Sequence, residues 1–175
     1  MAASMLARLV AMGTPKRARL AWIAFGVWIV VLYVAGFAGA IRDAEVLEAE
    51  ASDPDAVIAL ADGLDDDGSS RLRRSYALDL ISPLIYVPAL VWKGRTFGRS
   101  VAGIATTVGA PLMGLVDWIE TGLALGIVNG ARGAIVAMFS VTVIVAVVMS
   151  AFTFGGLLAG LLSQWRRART ARDAS

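Results

Sequence analysis

Four long apolar runs separated by short polar breaks organise this chain. The first, Ala21–Ile41, reads AWIAFGVWIVVLYVAGFAGAI without a charge. At about 1.5 Å per helical residue it crosses the roughly 30 Å hydrocarbon layer once. The second, Ser75–Trp92, contains Asp79, Pro83 and Pro88, so it predicts a bent helix of the kind membrane bundles tolerate when neighbours satisfy the freed carbonyls. The third, Val101–Val128, carries Pro111 near its middle and Asp117 and Glu120 inside it. Asn129-Gly130-Ala131-Arg132-Gly133 is a turn signal, and a fourth, uncharged run follows over Ala134–Leu162, long enough to span with tilt or to project beyond the bilayer. The expected fold is therefore all-α: a polytopic membrane protein, one domain forming a four-transmembrane-helix bundle.

Residues 42–74 interrupt this pattern with an acidic, polar segment. Within it Asp53 is placed as an N-cap and Pro54 as the first helical position, followed by Val57, Ile58, Leu60, Ala61 and Leu64 at near-helical spacing. The spacing predicts a short extracytoplasmic surface helix lying on the bundle. A solvated acidic linker is the competing reading.

Composition agrees with the pattern. Of 175 residues 58% are hydrophobic and 17% charged, whereas a soluble domain is about 45–50% apolar and about 25% charged. That apolar surface exceeds what a small water-facing core hides, which excludes an ordinary soluble enzyme. With no cysteine and no histidine, disulfides, Cys/His zinc sites, histidine acid–base catalysis and His-ligated haem are excluded too, and no cofactor is expected. The net charge of +2 is too balanced for a nucleic-acid binder.

Charge placement says more than charge total. Ten of the fourteen acids fall between Asp43 and Asp67, while Lys and Arg cluster beside the apolar runs. With four spans both termini lie on one side. The N-terminal arm, the turn Lys93–Arg99 and the C-terminal tail then hold eleven basic residues on that side, against five on the other. The positive-inside rule puts both termini in the cytoplasm of a bacterial inner membrane and the acidic loop outside. Lys16, Arg17 and Arg19 before the first run, with Ala38-Gly39-Ala40 at its end, also fit a cleaved signal peptide; the run's length, beyond the usual apolar core of about 7–15 residues, favours a retained anchor.

Asp79, Asp117 and Glu120 are the three acids inside apolar runs. A charge near the bilayer centre costs about 2.5–3.5 kcal/mol on insertion scales, so such residues usually face protein or water and have partners. Asp117 and Glu120 stand at i and i+3, on neighbouring faces of one helix. Tyr76, Asp79, Pro83 and Tyr86 follow helical steps, which would put two hydroxyl-bearing rings on the carboxylate's face. Gly103, Thr107, Ala110, Gly114, Asp117 and Thr121 form a stripe of small and polar residues on the third run, suited to close helix packing, and Gly122/Gly126 and Gly156/Gly160 add small-xxx-small pairs. Arg71, Arg73, Arg74 and Arg132 are the candidate charge partners on the same outer side. Arg71, Arg73 and Arg74 also follow Asp65, Asp66 and Asp67 closely enough for local pairing. The carboxylates, with Tyr76, Tyr86 and Thr121, therefore read either as a polar clamp that fixes helix register or as a site that binds a cation or relays a proton. Neither a metal site nor a catalytic residue is indicated.

The stretch Tyr76-Ala-Leu-Asp79-Leu-Ile-Ser-Pro83-Leu-Ile-Tyr86, followed one run later by Val116-Asp117-Trp118-Ile119-Glu120-Thr121, resembles a loose group of uncharacterised bacterial four-span membrane proteins. Members of that group pair a Y-x-L-D-x-x-x-P-x-x-Y second helix with a D-x-x-E-N third helix. The likeness covers mainly residues 71–128 and departs at Thr121, where asparagine is usual. It implies fold and topology and supplies no mechanism. Gly94-Arg-Thr-Phe-Gly98-Arg-Ser-Val-Ala-Gly103-Ile is more weakly similar to a turn of RDD-type membrane proteins.

The sequence thus leads to a non-enzymatic inner-membrane protein of structural or accessory type, partnered by other membrane proteins or by copies of itself. A small proton- or cation-coupled transporter using the intramembrane carboxylates is the alternative. Besides the bilayer itself, Arg166, Arg167, Arg169 and Arg172 offer contacts to anionic lipid headgroups, or simply flank the last span.

Overall fold

A computed structural model describes residues 14–34 and 46–173, whose regular structure is all helical, with no strand among the described residues. The helices are α1 (Pro15–Val34), α2 (Pro54–Asp62), α3 (Asp66–Asp79), α4 (Ser82–Arg95), α5 (Val101–Val128) and α6 (Ala134–Asp173), with a 3₁₀ turn at Glu50–Ser52. Three stretches are long and apolar enough to cross a membrane: Asp66–Arg95, Val101–Val128 and Ala134–Asp173. The first apolar run is helical over its part within α1, and its remainder, residues 35–41, lies outside the described residues.

The segment between the first two runs is mostly helix. Asp53 caps α2, its carboxylate accepting from the amides of Asp55 (3.0 Å) and Ala56 (3.3 Å), and Pro54 occupies the first turn, where its missing N–H costs nothing. Asp65 caps α3 through the Gly68 amide at 2.6 Å, and Asp66 and Asp67 in the first turn complement the positive end of the helix dipole. Arg71, Arg73 and Arg74 consequently stand on a helix that begins well before Ser75, where the apolar run starts. The bend expected from the two prolines is localised at Leu80–Ile81, between α3 and α4. Pro83 has no amide proton to give the Asp79 carbonyl, so the ladder ends there and restarts with the proline in the first turn of α4. Pro88 lies inside α4 and Pro111 inside α5.

By contacts the chain divides into two compact units. One comprises the N-terminal part through Phe25, Leu84–Gly114 and the chain from Val148 onward; the other comprises Gly26–Pro83 and Leu115–Val147.

In the first unit Tyr86, Leu90, Val91, Ala110, Met113 and Leu157 form the core. Its helices approach closely at glycines. A methyl at Gly94 would meet Thr107 Oγ1 at 2.5 Å and the Thr107 amide at 2.9 Å, one at Gly156 would meet Ala105 Cβ at 2.7 Å, and one at Gly160 would strike the Phe97 ring. Gly156 and Gly160 thus act as the small-xxx-small pair that their spacing predicts. The turn between α4 and α5 uses Gly98 at φ +67°, a left-handed conformation that glycine adopts without strain. Gln164 of α6 fastens that turn, donating to the Thr96 carbonyl at 3.0 Å and accepting from Lys93 Nζ at 3.4 Å.

In the second unit the buried cluster includes Leu47, Val57, Leu72, Tyr76, Ile127 and Phe139, and the α2 residues Ile58, Leu60 and Ala61, with Leu64 just beyond, pack against it. The apolar face read from the sequence is therefore the docking face of a packed helix rather than part of a linker. The turn after α5 carries positive φ at Gly130 (+94°) and Gly133 (+63°). Arg132 closes the α5 C-terminus, donating to the carbonyls of Ile127 (2.8 Å) and Ala131 (2.7 Å) while its other nitrogen pairs with Asp62. The pair Gly122/Gly126 makes no comparably tight approach, since a methyl at Gly122 would meet nothing within 4 Å.

Candidate functional site

The second unit brings most of the expected polar residues together. Asp79 ends α3, and the α5 residue Thr121, 2% exposed, donates its hydroxyl to Asp79 Oδ2 at 3.1 Å. One turn before Asp79, Tyr76 is 3% exposed and sits in the cluster with Leu72, Ala124 and Ile127. Its hydroxyl is buried and has no hydrogen-bond partner among the described residues. Asp117 and Glu120 are half-buried on α5. Glu120 lies within electrostatic reach of Glu48, Asp117 and Asp79, and the Tyr76 hydroxyl within reach of Glu48, Glu120 and Asp79.

Two further polar contacts secure the α3–α4 break. The Leu80 carbonyl, left outside both helical ladders, accepts from Trp118 Nε1 at 2.8 Å, and Trp28 Nε1 donates to Ser82 Oγ at 3.0 Å. Buried or membrane-facing carbonyls demand such partners, so the break is stabilised by side chains from α5 and α1.

Several sequence expectations need correction. Tyr86 belongs to the core of the first unit, where Phe25 packs edge-on against its ring at 6.4 Å. The helical steps from Tyr76 to Tyr86 assumed one continuous ladder, and the interruption at Leu80–Ile81 breaks their phase. Arg71 pairs with Asp67 one turn away, and Arg132 with Asp62, so both guanidinium groups engage acids of the polar segment. Arg73 and Arg74 are exposed on α3. Of the two readings of the arginine cluster, local pairing is the one realised at Arg71.

Glu48 is the site residue that sequence reasoning missed. It stands among ten acids of a polar stretch, and the docking of its fully buried neighbour Leu47 into the core brings it within electrostatic reach of Glu120. Among the described residues no three Asp or Glu side chains converge closely enough to ligate one metal ion. At the other end of the chain Arg166, Arg167, Arg169 and Arg172 lie exposed on the last turns of α6, with Arg169 over the Trp165 ring at 5.7 Å.

Compared with protein-family models, curated proteins and solved structures, the chain matches none.

Proposed function

We propose that this chain is a multi-pass inner-membrane protein of structural or accessory type that associates with other membrane proteins. The observation that carries the reading is α6. It runs for 40 residues, about 60 Å, yet only 11% of its most apolar window is buried among the described residues. A helix apolar on all sides needs lipid or partner helices around it. In this reading α1 and the residues after it supply the first of four spans, the acidic segment with α2 lies outside, and both termini are cytoplasmic, following the eleven-to-five distribution of basic residues. The exposed arginines at the end of α6 then meet the anionic headgroups of the cytoplasmic leaflet. The Thr121–Asp79 bond and the Trp118 and Trp28 contacts support a clamp role for the polar residues: they tie α5 to the end of α3 and to Leu80, and α1 to Ser82.

The second reading, a small proton- or cation-coupled carrier, draws its support from four acids and a tyrosine hydroxyl gathered within one unit. The double variant Asp117→Asn/Glu120→Gln separates the two. A clamp loses folded yield in mild detergent, whereas a carrier keeps its yield and loses pH-dependent flux in proteoliposomes. Unchanged yield together with unchanged flux would remove both roles from these residues.

A further inference from the structure

The first unit is strongly positive. Its described residues include ten Lys and Arg and a single acid, Asp173. Lys93, Arg95 and Arg99 surround the α4–α5 turn, and four arginines follow on the last turns of α6. Basic residues beside a span are ordinary, but here two of the elements that carry them are fastened to each other. Gln164 donates to the Thr96 carbonyl at 3.0 Å and to Thr96 Oγ1 at 3.2 Å, and accepts from Lys93 Nζ at 3.4 Å. Thr96 Oγ1 in turn donates to the Lys93 carbonyl at 2.8 Å, and the Phe97 ring covers Gly160, one turn before Gln164.

This joint puts two cations on neighbouring elements. Gly160, Gln164 and Arg167 are spaced four and three apart, so Arg167 stands on the face of α6 that meets the turn. Its Cα–Cβ bond tilts toward the helix N-terminus, hence toward Gln164. Lys93 is half-buried with its ammonium 5.6 Å from the centre of the Phe97 ring, and the long bond to Gln164 uses one of its three N–H donors.

The surroundings select the partner. Exposed apolar side chains border the basic residues on both elements: Val101 and Ile104 directly after the turn, and Leu161, Leu162 and Trp165 directly before Arg166. A nucleic acid or an acidic peptide would complement the charges and leave that border without apolar contacts. A phospholipid brings a phosphate to the cations and acyl chains to the apolar residues. Trp165, with Arg169 at 5.7 Å over its ring, has the amphipathic character of a residue at headgroup depth. One acid among ten bases favours a headgroup of net negative charge over a zwitterionic one.

We propose that the α4–α5 turn and the end of α6 form a discrete site for one anionic phospholipid, its phosphate held by Lys93 and Arg167 and its acyl chains lying against the exposed apolar residues of α5 and α6. Gln164 is a positioning residue, uncharged itself, that fixes the two elements bearing the cations. The site extends the contact between the α6 arginines and anionic headgroups and rests on the membrane reading above.

The test uses the full chain in a non-ionic detergent, where no charged bilayer surface surrounds it, titrated with phosphatidylglycerol, phosphatidylcholine and inorganic phosphate in turn and followed by native mass spectrometry. The expected result is one phosphatidylglycerol retained per chain, saturably and at least about tenfold more tightly than phosphatidylcholine. Lys93→Gln/Arg167→Gln should weaken retention about thirtyfold, the combined contribution of two basic residues at an anionic headgroup. Arg169→Gln/Arg172→Gln removes the same charge beyond the joint and should weaken it less than about threefold at physiological ionic strength. Gln164→Ala should weaken it about three- to tenfold although no charge is lost. The charge-conserving pair Lys93→Arg/Arg167→Lys should stay within about threefold of the parent, which separates loss of the site from loss of the fold. Phosphatidylglycerol bound no more tightly than phosphatidylcholine, equal losses in the two charge-removing pairs, undiminished retention in Gln164→Ala, or inorganic phosphate retained in place of the lipid overturns the proposal. Retention in detergent does not depend on sidedness. Loss of the lipid with a cysteine at position 99 still protected in intact cells removes the site alone, whereas labelling at position 99 removes the topology.

Discussion

Truncating Phe139 to alanine should destabilise the protein by about 3–5 kcal/mol, the usual cost of removing a fully buried phenylalanine. Phe139 is 0% exposed and is the largest fully buried side chain among the described residues, in the cluster that joins Leu47, Val57, Leu72 and Ile127. It therefore holds together three parts of the second unit, the polar segment, α3 and the α5–α6 turn region. The adjacent Met138 is 53% exposed, so Met138→Ala is the matched control, with an effect expected within about 0.5 kcal/mol. Thermal unfolding of both variants in one detergent checks the difference. Equal midpoints would mean that the second unit is not packed around Phe139.

The next largest effect is expected at Gly103. A methyl there would run into the Gly98 carbonyl and meet the Gly94 carbonyl at 3.1 Å, both of them backbone atoms that cannot rotate away. Gly103→Ala should thus cost about 1–3 kcal/mol as an overpacking substitution, even though alanine is the better helix former. Gly122→Ala, in the same helix but with nothing within 4 Å of the new methyl, should be neutral or stabilising by up to about 1 kcal/mol. Opposite signs for two glycine-to-alanine changes in one helix are the signature of close packing at Gly103. Like signs would show that helix propensity alone governs both positions.

Much of this fold was legible in the sequence because its signals are local. Asp53-Pro54 marks the start of α2 through capping and the proline's missing N–H, and the spacing of Val57, Ile58 and Leu60 identifies the face that packs. The Asn129–Gly133 turn declares itself through glycines whose positive φ the structure shows at Gly130 and Gly133. Long apolar runs mark α5 and α6 by composition alone. What could not be read depends on where a ladder breaks and on what is distant in sequence. The early start of α3 follows from the Asp65 cap, which lay hidden in a run of acids. A two-residue break after Asp79 was enough to send Tyr86 into another core, because helical phase is lost within a residue or two.

The candidate site divides in the same manner. Asp117 and Glu120 share a helix and their relation follows from i, i+3 spacing, whereas the Thr121–Asp79 bond joins residues 42 positions apart. Antiparallel neighbours made that pairing foreseeable as a face but not as a contact. Glu48 had no signal of its own. The arginines divide likewise: Arg71 pairs with Asp67 one turn away, a local contact, whereas Arg132 pairs with Asp62 at the end of the packed α2, 70 positions away. Gln164, which fastens the basic turn, sits among residues that read as the end of a span.

Single-cysteine labelling is the most direct test of a four-span protein with the acidic segment outside, and a chain with no cysteine of its own is suited to it. Cysteines are placed singly at Gly63, at Arg99 and at Thr170 in intact cells and probed with a membrane-impermeant maleimide. The four-span arrangement predicts labelling at position 63 and protection at 99 and 170 until the membrane is opened. Labelling at position 170 in intact cells, or protection at 63, would contradict it.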